Sequence, residues 1–558
     1  MSYFIDLHNR VTACNTFNYC GARIPLEHNG LKLDIWKHKL SQYHDQNLLD
    51  FLKYGWPLGL DPISDLESAI KNHPSSVQFA EPVDKFIIKQ ISASAIAGPS
   101  VICPFKSNIC ISPLMTVPKK PEGRRVVLNA SFGNLSVNGA TPCGEYLGLE
   151  YEFTFPKVDQ FAEMMRIEGP GCLMWKKDLR NYFMQLMADP LNYNVMCFVW
   201  RNMLFFFVAL MFGFRNSGQA GQCTTTVVVF MFQSDSENFT GKKFHCLNYS
   251  DDLAGVERGI RAWRAYYYMS VLLSQLGLEE SLEKSIPPST KIEYLGVEFD
   301  SIDMEKRITR AKILEIDQAL DEWLVKERAT KRELQSILHK LLWIVNCVKH
   351  SRIFVSRIIA ELRRLHKNSH RTKLSIEIRK DFQWFKLFLK SFNGVELIEQ
   401  DDWSEIDDLE YASDASLEYG GAYTKHEYVS GAFPDSLKDE HIHIKEVLMV
   451  LVLVKLWSHS WASNKIIIRC DNDSVCDAIA YLKPTDPKLQ KCVRELLYWQ
   501  CRQNFSLAVT KIGTKENYVV EFISRCNDSS KIEKFLKENN IPLKKCLELD
   551  VTLFSGNW

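Results

Sequence analysis

The chain has 558 residues, 46% hydrophobic, 12% aromatic and 24% charged, which is the composition of a folded protein too long for one core and predicts two to four domains. Its 68 basic and 68 acidic residues cancel, and the first fifteen residues, which include Asp6, His8 and Arg10, lack the apolar stretch of a secretory signal. The longest apolar run, 203–214, is about half a membrane span, and no Cys-x-x-Cys occurs among 16 cysteines, so the sequence argues against membrane insertion, a disulfide scaffold and zinc knuckles, and predicts an intracellular protein of the cytoplasm or nucleus.

Residues 1–95 read as short elements broken by Gly and Pro, as in Gly21-Ala22-Arg23-Ile24-Pro25. They carry no nameable chemistry and are expected to form an N-terminal extension. From 96 to 300, apolar runs alternate with Gly, Asn and Pro turns, which predicts mixed α and β structure. Leu173 to Lys177 reads as a strand ending in Asp178. Residues 245–248 and 253–256 read as two strands around a tight turn, Tyr249-Ser250-Asp251-Asp252. Adjacent carboxylates repel, and a divalent cation is the natural compensation. Two Mg²⁺ ions about 3.5–4 Å apart need carboxylates from different segments. Asp178, Asp251 and Asp252 supply them. Taken singly, the pair also reads as an ordinary turn and Asp178 as a capping residue.

Residues 310–364 turn helical, with Leu334, Ile337, Leu338, Leu341, Leu342 and Val345 at three- and four-residue spacing. Residues 305–390 hold 21 Lys and Arg against 10 Asp and Glu, which suits a grip on phosphates or simply a solvated helical face. Residues 396–410 are an acidic linker. Beyond it, a predicted strand carries Asp414, another ends in Asp471, and Glu446 lies on an apolar helix over about 444–459. Three carboxylates from two strands and a helix suit two-metal hydrolysis of a phosphodiester; each alone reads as a surface acid. The last thirty or so residues read as helical and peripheral.

In order and spacing, these segments resemble reverse transcriptases fused to RNase H. The matching run is Asp178, Phe212-Gly213-Phe214-Arg215-Asn216-Ser217, Tyr249-Ser250-Asp251-Asp252, Leu276-Gly277-Leu278 with Lys284, and Tyr294-Leu295-Gly296. The resemblance implies that Phe183 is the steric gate against a ribose 2′-hydroxyl. It places Phe212 and Gly213 under the incoming base, and Lys120 and Arg125 of the fingers hairpin on the nucleotide phosphates. Asn129 stands where the family usually has Asp. The late motif Asn517–Arg525 implies Glu521 as a fourth nuclease carboxylate, where Asp is usual, and Lys511 stands near the place of a customary His.

The resemblance implies a multidomain α+β protein: a right-handed palm-fingers-thumb polymerase followed by an RNase-H-like α/β domain. The expected divisions are fingers and palm at 96–300, a basic thumb and connection at 301–395, the linker at 396–410, the RNase H-like domain at 411–528 and a tail at 529–558. The catalytic and metal-binding sets are Asp178, Asp251 and Asp252, and Asp414, Glu446, Asp471 and Glu521, with two Mg²⁺ (or Mn²⁺) per site. Implied partners are an RNA template, a DNA primer, the RNA–DNA hybrid and dNTPs. Gly21–Pro25, Ser136-Val137-Asn138 and Thr309–Lys340 are similar to the DIRS-like retrotransposon group, which implies a separately encoded tyrosine recombinase. A decayed or domesticated nucleic-acid-binding protein and a DNA-templated polymerase are the alternatives.

Overall fold

The computed structural model describes the chain except residues 16–18, 28–29, 62–65, 70, 120–122, 152–153, 349–350, 392–394, 399–410, 463, 482–485, 504, 514–515 and 555–558. It divides into two compact units, Met1–Met164 with Gly171–Ile292, and Met165–Pro170 with Glu293–Trp558. Lys120 and most of the expected acidic linker lie outside the described residues.

The first unit is built on a four-stranded antiparallel sheet. Its strands are β1 (Leu173–Asp178), β2 (His245–Tyr249), β3 (Asp252–Glu257) and β4 (Ile286–Ser289), in the spatial order β4-β1-β3-β2. The pairing of β1 with β3 runs unbroken from Leu173 opposite Glu257 to Asp178 opposite Asp252. Gly255 permits this packing: a Cβ there would stand 2.4 Å from the Trp175 ring. The helix Ser217–Thr240 buries Ala220, Val227, Val228, Met231 and Phe232. The apolar run at 203–214 opens as the strand Met203–Phe207, paired with Cys197–Trp200 and Ile96–Ser100. Among the described residues no helix is long and apolar enough to cross a membrane.

Residues 1–95 pack into the first unit. Phe4, Leu7, Trp36, Leu40, Leu52 and Trp56 lie in the same hydrophobic core as Trp175, Phe232 and Leu253. The Trp36 indole N–H donates to the Leu276 carbonyl at 2.9 Å, and Lys39 pairs with Asp235 at 2.6 Å.

In the second unit, the expected helical segment forms Arg310–Val325, Lys331–Cys347 and Ser356–Arg364, followed by Ile376–Ser391. A capping box starts the second of these helices. Glu333 N–H donates to Thr330 Oγ1 at 3.2 Å, and Thr330 N–H donates to Glu333 Oε2 at 2.7 Å. A six-stranded mixed sheet follows: β5 (Ala412–Ala415), β6 (Tyr419–Tyr423), β7 (Glu427–Ala432), β8 (Lys465–Cys470), β9 (Ser506–Lys511) and β10 (Lys544–Glu548), in the order β9-β8-β5-β6-β7-β10. β5, β6 and β7 pair antiparallel, whereas β8, β9 and β10 join in parallel. The helix Ile442–Trp457 is buried almost all round, which explains its unbroken apolar sequence.

Two expected divisions differ here. The basic helices and the six-stranded sheet share one core, and buried Asp381 accepts from Arg357 at 2.9 Å and Arg494 at 2.8 Å. The expected tail supplies the helix Ser529–Glu538 and then β10, an edge strand of the sheet. Pairing between segments more than a hundred residues apart has no local sequence signature, so the pattern of the last thirty residues does not reveal it.

Candidate active sites

Two clusters of carboxylates stand at strand ends, one in each unit. In the first unit, Asp178 and Asp252 face each other across the β1–β3 pairing, and Asp251 occupies the turn between β2 and β3. Ser250, the residue before it, has φ of 51°, in the left-handed region. The helix Ser217–Thr240 holds that turn in place. Ser250 N–H donates to Gln222 Oε1 at 2.9 Å, and Gln222 Nε2 donates to the Asn248 carbonyl at 3.1 Å. The main chain ties these segments together, with Leu179 N–H donating to the Asp251 carbonyl at 3.0 Å.

Lysines partner two of the three carboxylates. Lys284 Nζ lies 2.8 and 3.0 Å from the Asp178 oxygens, and Lys176 Nζ lies 3.0 Å from Asp252 Oδ2. Among the described residues no lysine or arginine pairs as closely with Asp251. Burial, then the like charges of Asp252 and Asp178, push its carboxyl up to about 6. Burial also raises Asp252, against the opposing pull of Lys176.

Four of the five residues expected at the nucleotide form one cluster. Phe183, 9% exposed, meets Phe212 edge to face with ring centroids 4.8 Å apart, and the Arg125 guanidinium sits 4.8 Å over the Phe212 ring. Gly213 has φ of 122°, and a Cβ there would fall 2.0 Å from the Leu128 carbonyl oxygen, so only glycine fits. Arg125 and Leu128 belong to the strand Arg124–Leu128, which pairs with Leu114–Pro118. The fifth residue, Lys120, lies outside the described residues.

In the second unit, Asp414 projects from β5, opposite Gly421 on β6. Ser524, on the helix Tyr518–Arg525, donates to Asp414 Oδ2. Glu446 lies on the buried helix Ile442–Trp457 and is 3% exposed; Asp471 directly follows β8. Burial, then Asp414 and Asp471, push the Glu446 carboxyl up to about 9. Burial raises Asp414 to about 6 against the Ser524 hydrogen bond, and burial raises Asp471. Glu521 lies in the first turn of the helix Tyr518–Arg525 and within electrostatic reach of Asp414 and Asp471. Its Oε1 pairs with Arg525 at 2.8 Å. Lys511 pairs with Asp473 at 2.6 Å and lies within electrostatic reach of Asp471.

Both donor sets fit hard divalent cations. Burial displaces the carboxyls of Asp251, Asp414 and Glu446 upward, and a bound cation would relieve each of them. The first cluster would hold a cation through Asp178, Asp251 and Asp252, the second through Asp414, Glu446, Asp471 and Glu521. Sequence reasoning misses three neighbours. Gln222 carries no local signal. Lys176 is two residues before Asp178 on the same strand, so its place beside the acids was readable. Cys470 was hidden by its ordinary position at the end of an apolar strand.

No protein-family model matches the sequence, and no curated protein matches it. Among solved structures, the foamy viral protease-reverse transcriptase dRH in complex with double-stranded DNA has a TM-score of 0.46 at 14% identity, over 89% of this chain and 84% of that one. The foamy viral protease-reverse transcriptase in complex with dsDNA gives 0.43 at 15% identity, over 88% and 99% of the two chains. The same enzyme in complex with RNA/DNA hybrid gives 0.43 at 14% identity, over 89% and 65%. These likenesses concern the chain trace and assign no residue a role.

Proposed function

We propose that the chain is an RNA-directed DNA polymerase with an RNase H activity in its second unit. The carrying observation is the register that sets Asp252 opposite Asp178 with Asp251 in the adjoining turn. It puts three carboxylates from two strands at one sheet end, where nucleotidyl transfer needs them. Two divalent cations, when bound, supply Lewis acidity and orient the attacking and leaving oxygens. The chain's own residues do the rest. Gln222 fixes the turn that presents Asp251. Lys284 holds Asp178 in orientation. The Phe183 ring, wedged against Phe212, fills the space of a 2′-hydroxyl and so selects dNTPs. Arg125 offers its guanidinium to the triphosphate, together with Lys120. The basic helices over 310–391 track the backbone of the RNA template and DNA primer without reading sequence.

For the second unit, the reading is hydrolysis of RNA in the RNA–DNA hybrid at Asp414, Glu446, Asp471 and Glu521, again with two Mg²⁺ or Mn²⁺. The mixed sheet, with the Glu446 helix against it, presents these acids from two strands and two helices. The palm-fingers-thumb arrangement, the DIRS-like placement and a separately encoded recombinase belong to the same proposal. They rest on the motifs at 178–296 and on Gly21–Pro25, Ser136–Asn138 and Thr309–Lys340. The test is extension of a DNA primer on an RNA template with dNTPs and Mg²⁺, beside Asp251→Asn. Extension by the wild type alone supports the polymerase. Binding of hybrid without extension favours a decayed nucleic-acid-binding protein.

A further inference from the structure

Among the described residues, one group of three metal-ligating side chains has donor atoms all within 4.8 Å of one another: Glu446, Cys470 and Asp471. One donor of the three is sulfur. Cys470 ends β8, is 0% exposed, and its thiol lies 3.8 Å from Glu446 Oε2. A second thiol stands beside it. Cys476, on the helix Asp473–Tyr481, brings its Sγ to 3.9 Å from the Cys470 carbonyl oxygen and interacts with the Cys470 side chain.

Neither thiol has a task in two-metal phosphodiester cleavage, which needs oxygen donors. Mg²⁺ is a hard cation and gains little from sulfur. Thiolate and carboxylate gathered in one small volume suit a borderline-soft ion that accepts four mixed ligands. We propose that Cys470 and Cys476, with Glu446 and Asp471, form a binding site for a thiophilic divalent cation of the zinc class. Occupancy of the site withdraws Glu446 and Asp471 from Mg²⁺ and so silences RNA cleavage. On binding, each thiol releases its proton to solvent as the metal–sulfur bond forms, and Glu446 releases any proton it holds. The Cys-x₅-Cys spacing is not that of a zinc finger, so the sequence does not announce the site. The silencing rests on the RNase H reading; the binding does not.

The test uses the full chain, reduced and stripped with a chelator. Its Zn²⁺ content is measured after equilibrium dialysis, and Cd²⁺ is titrated while the thiolate-to-cadmium charge-transfer band is followed. Other cysteines also absorb, so the readout is the difference between wild type and variants. Cys470→Ser is expected to lose one bound equivalent and its share of the band. Cys476→Ser is expected to weaken Zn²⁺ binding by at least ~10-fold. Circular dichroism checks the fold, and if Cys470→Ser fails to fold, the half-buried Cys476 position carries the test. At fixed Mg²⁺, Zn²⁺ should inhibit cleavage of a hybrid by the wild type and inhibit Cys476→Ser less. Equal metal content and equal inhibition in wild type and variants would overturn the proposal. A thiol-dependent equivalent in a chain that cleaves no RNA at any Mg²⁺ concentration would leave the binding site standing and remove the RNase H reading.

Discussion

In the β1–β3 cluster two of three carboxylates meet a lysine within 3.0 Å, whereas the deepest acid of the six-stranded sheet, Glu446, has a thiol as its near neighbour. The first cluster is therefore partly neutralised before any cation arrives. In the second, Arg525 pairs with Glu521, while burial and the charges of Asp414 and Asp471 raise Glu446 to about 9, against about 6 for Asp251, so Glu446 keeps its proton. Two acidic clusters with similar ligands have solved the same repulsion by different means. They should respond differently to mutation, pH and metal.

The largest expected effect separates the clusters outright. Asp251→Asn should lower primer extension by ~10³-fold or more and leave RNA cleavage within about twofold; Asp471→Asn should do the reverse. Primer-extension and hybrid-cleavage assays on the same preparations check this. A variant that loses both activities while still folded would show that the clusters are not independent.

The next effect probes the built-in cations. Lys284→Ala removes the partner of Asp178 and should cut extension by roughly 10–100-fold. Ser524→Ala removes a neutral donor to Asp414 and should cost cleavage only about 3–10-fold. Steady-state kinetics with Mg²⁺ titration reads both, and equal losses would erase the asymmetry.

The smallest effect is a slope with pH. A carboxyl raised in the folded state destabilises that state as it ionises. The cost begins above its unfolded value and is complete above its folded one. For Asp251 that window closes near pH 6; for Glu446 it extends to about 9. Metal-free protein should therefore lose stability between pH 6.5 and 9, by up to ~1.4 kcal/mol per pH unit for one proton. Glu446→Gln should flatten that slope and Asp251→Asn should leave it. Thermal unfolding at several pH values, with chelator present, decides it; an unchanged slope in Glu446→Gln would contradict the buried, protonated carboxyl.

What could be read in the sequence was local. Asp178, Asp251, Asp252, Asp414 and Asp471 lie at or near the limits of short apolar runs, and the limits of those runs place them near strand ends before any tertiary contact is known. Glu446 was readable because the long apolar stretch around it needs a fully buried helix. What escaped reading depends on distant segments. Trp36 docks on Leu276, 240 positions away, so residues 1–95 join the first core although their own pattern is broken. Arg494 reaches Asp381, more than a hundred positions earlier in the chain, which merges helices and sheet that composition separates. Cys470 and Glu446 meet only because β8 lies under the helix Ile442–Trp457.

β10 has a consequence for handling the chain. It covers one edge of the sheet by pairing in parallel with β7, and it carries charge at Lys544, Lys545 and Glu548, of which Lys544 and Glu548 are exposed. A protease that nicks the segment after the helix Ser529–Glu538 would release this cover and leave the amides of β7 open to strands from other molecules. Clipped material should then precipitate or form fibrils while intact protein stays dispersed, so β10 guards against self-association as well as completing the sheet.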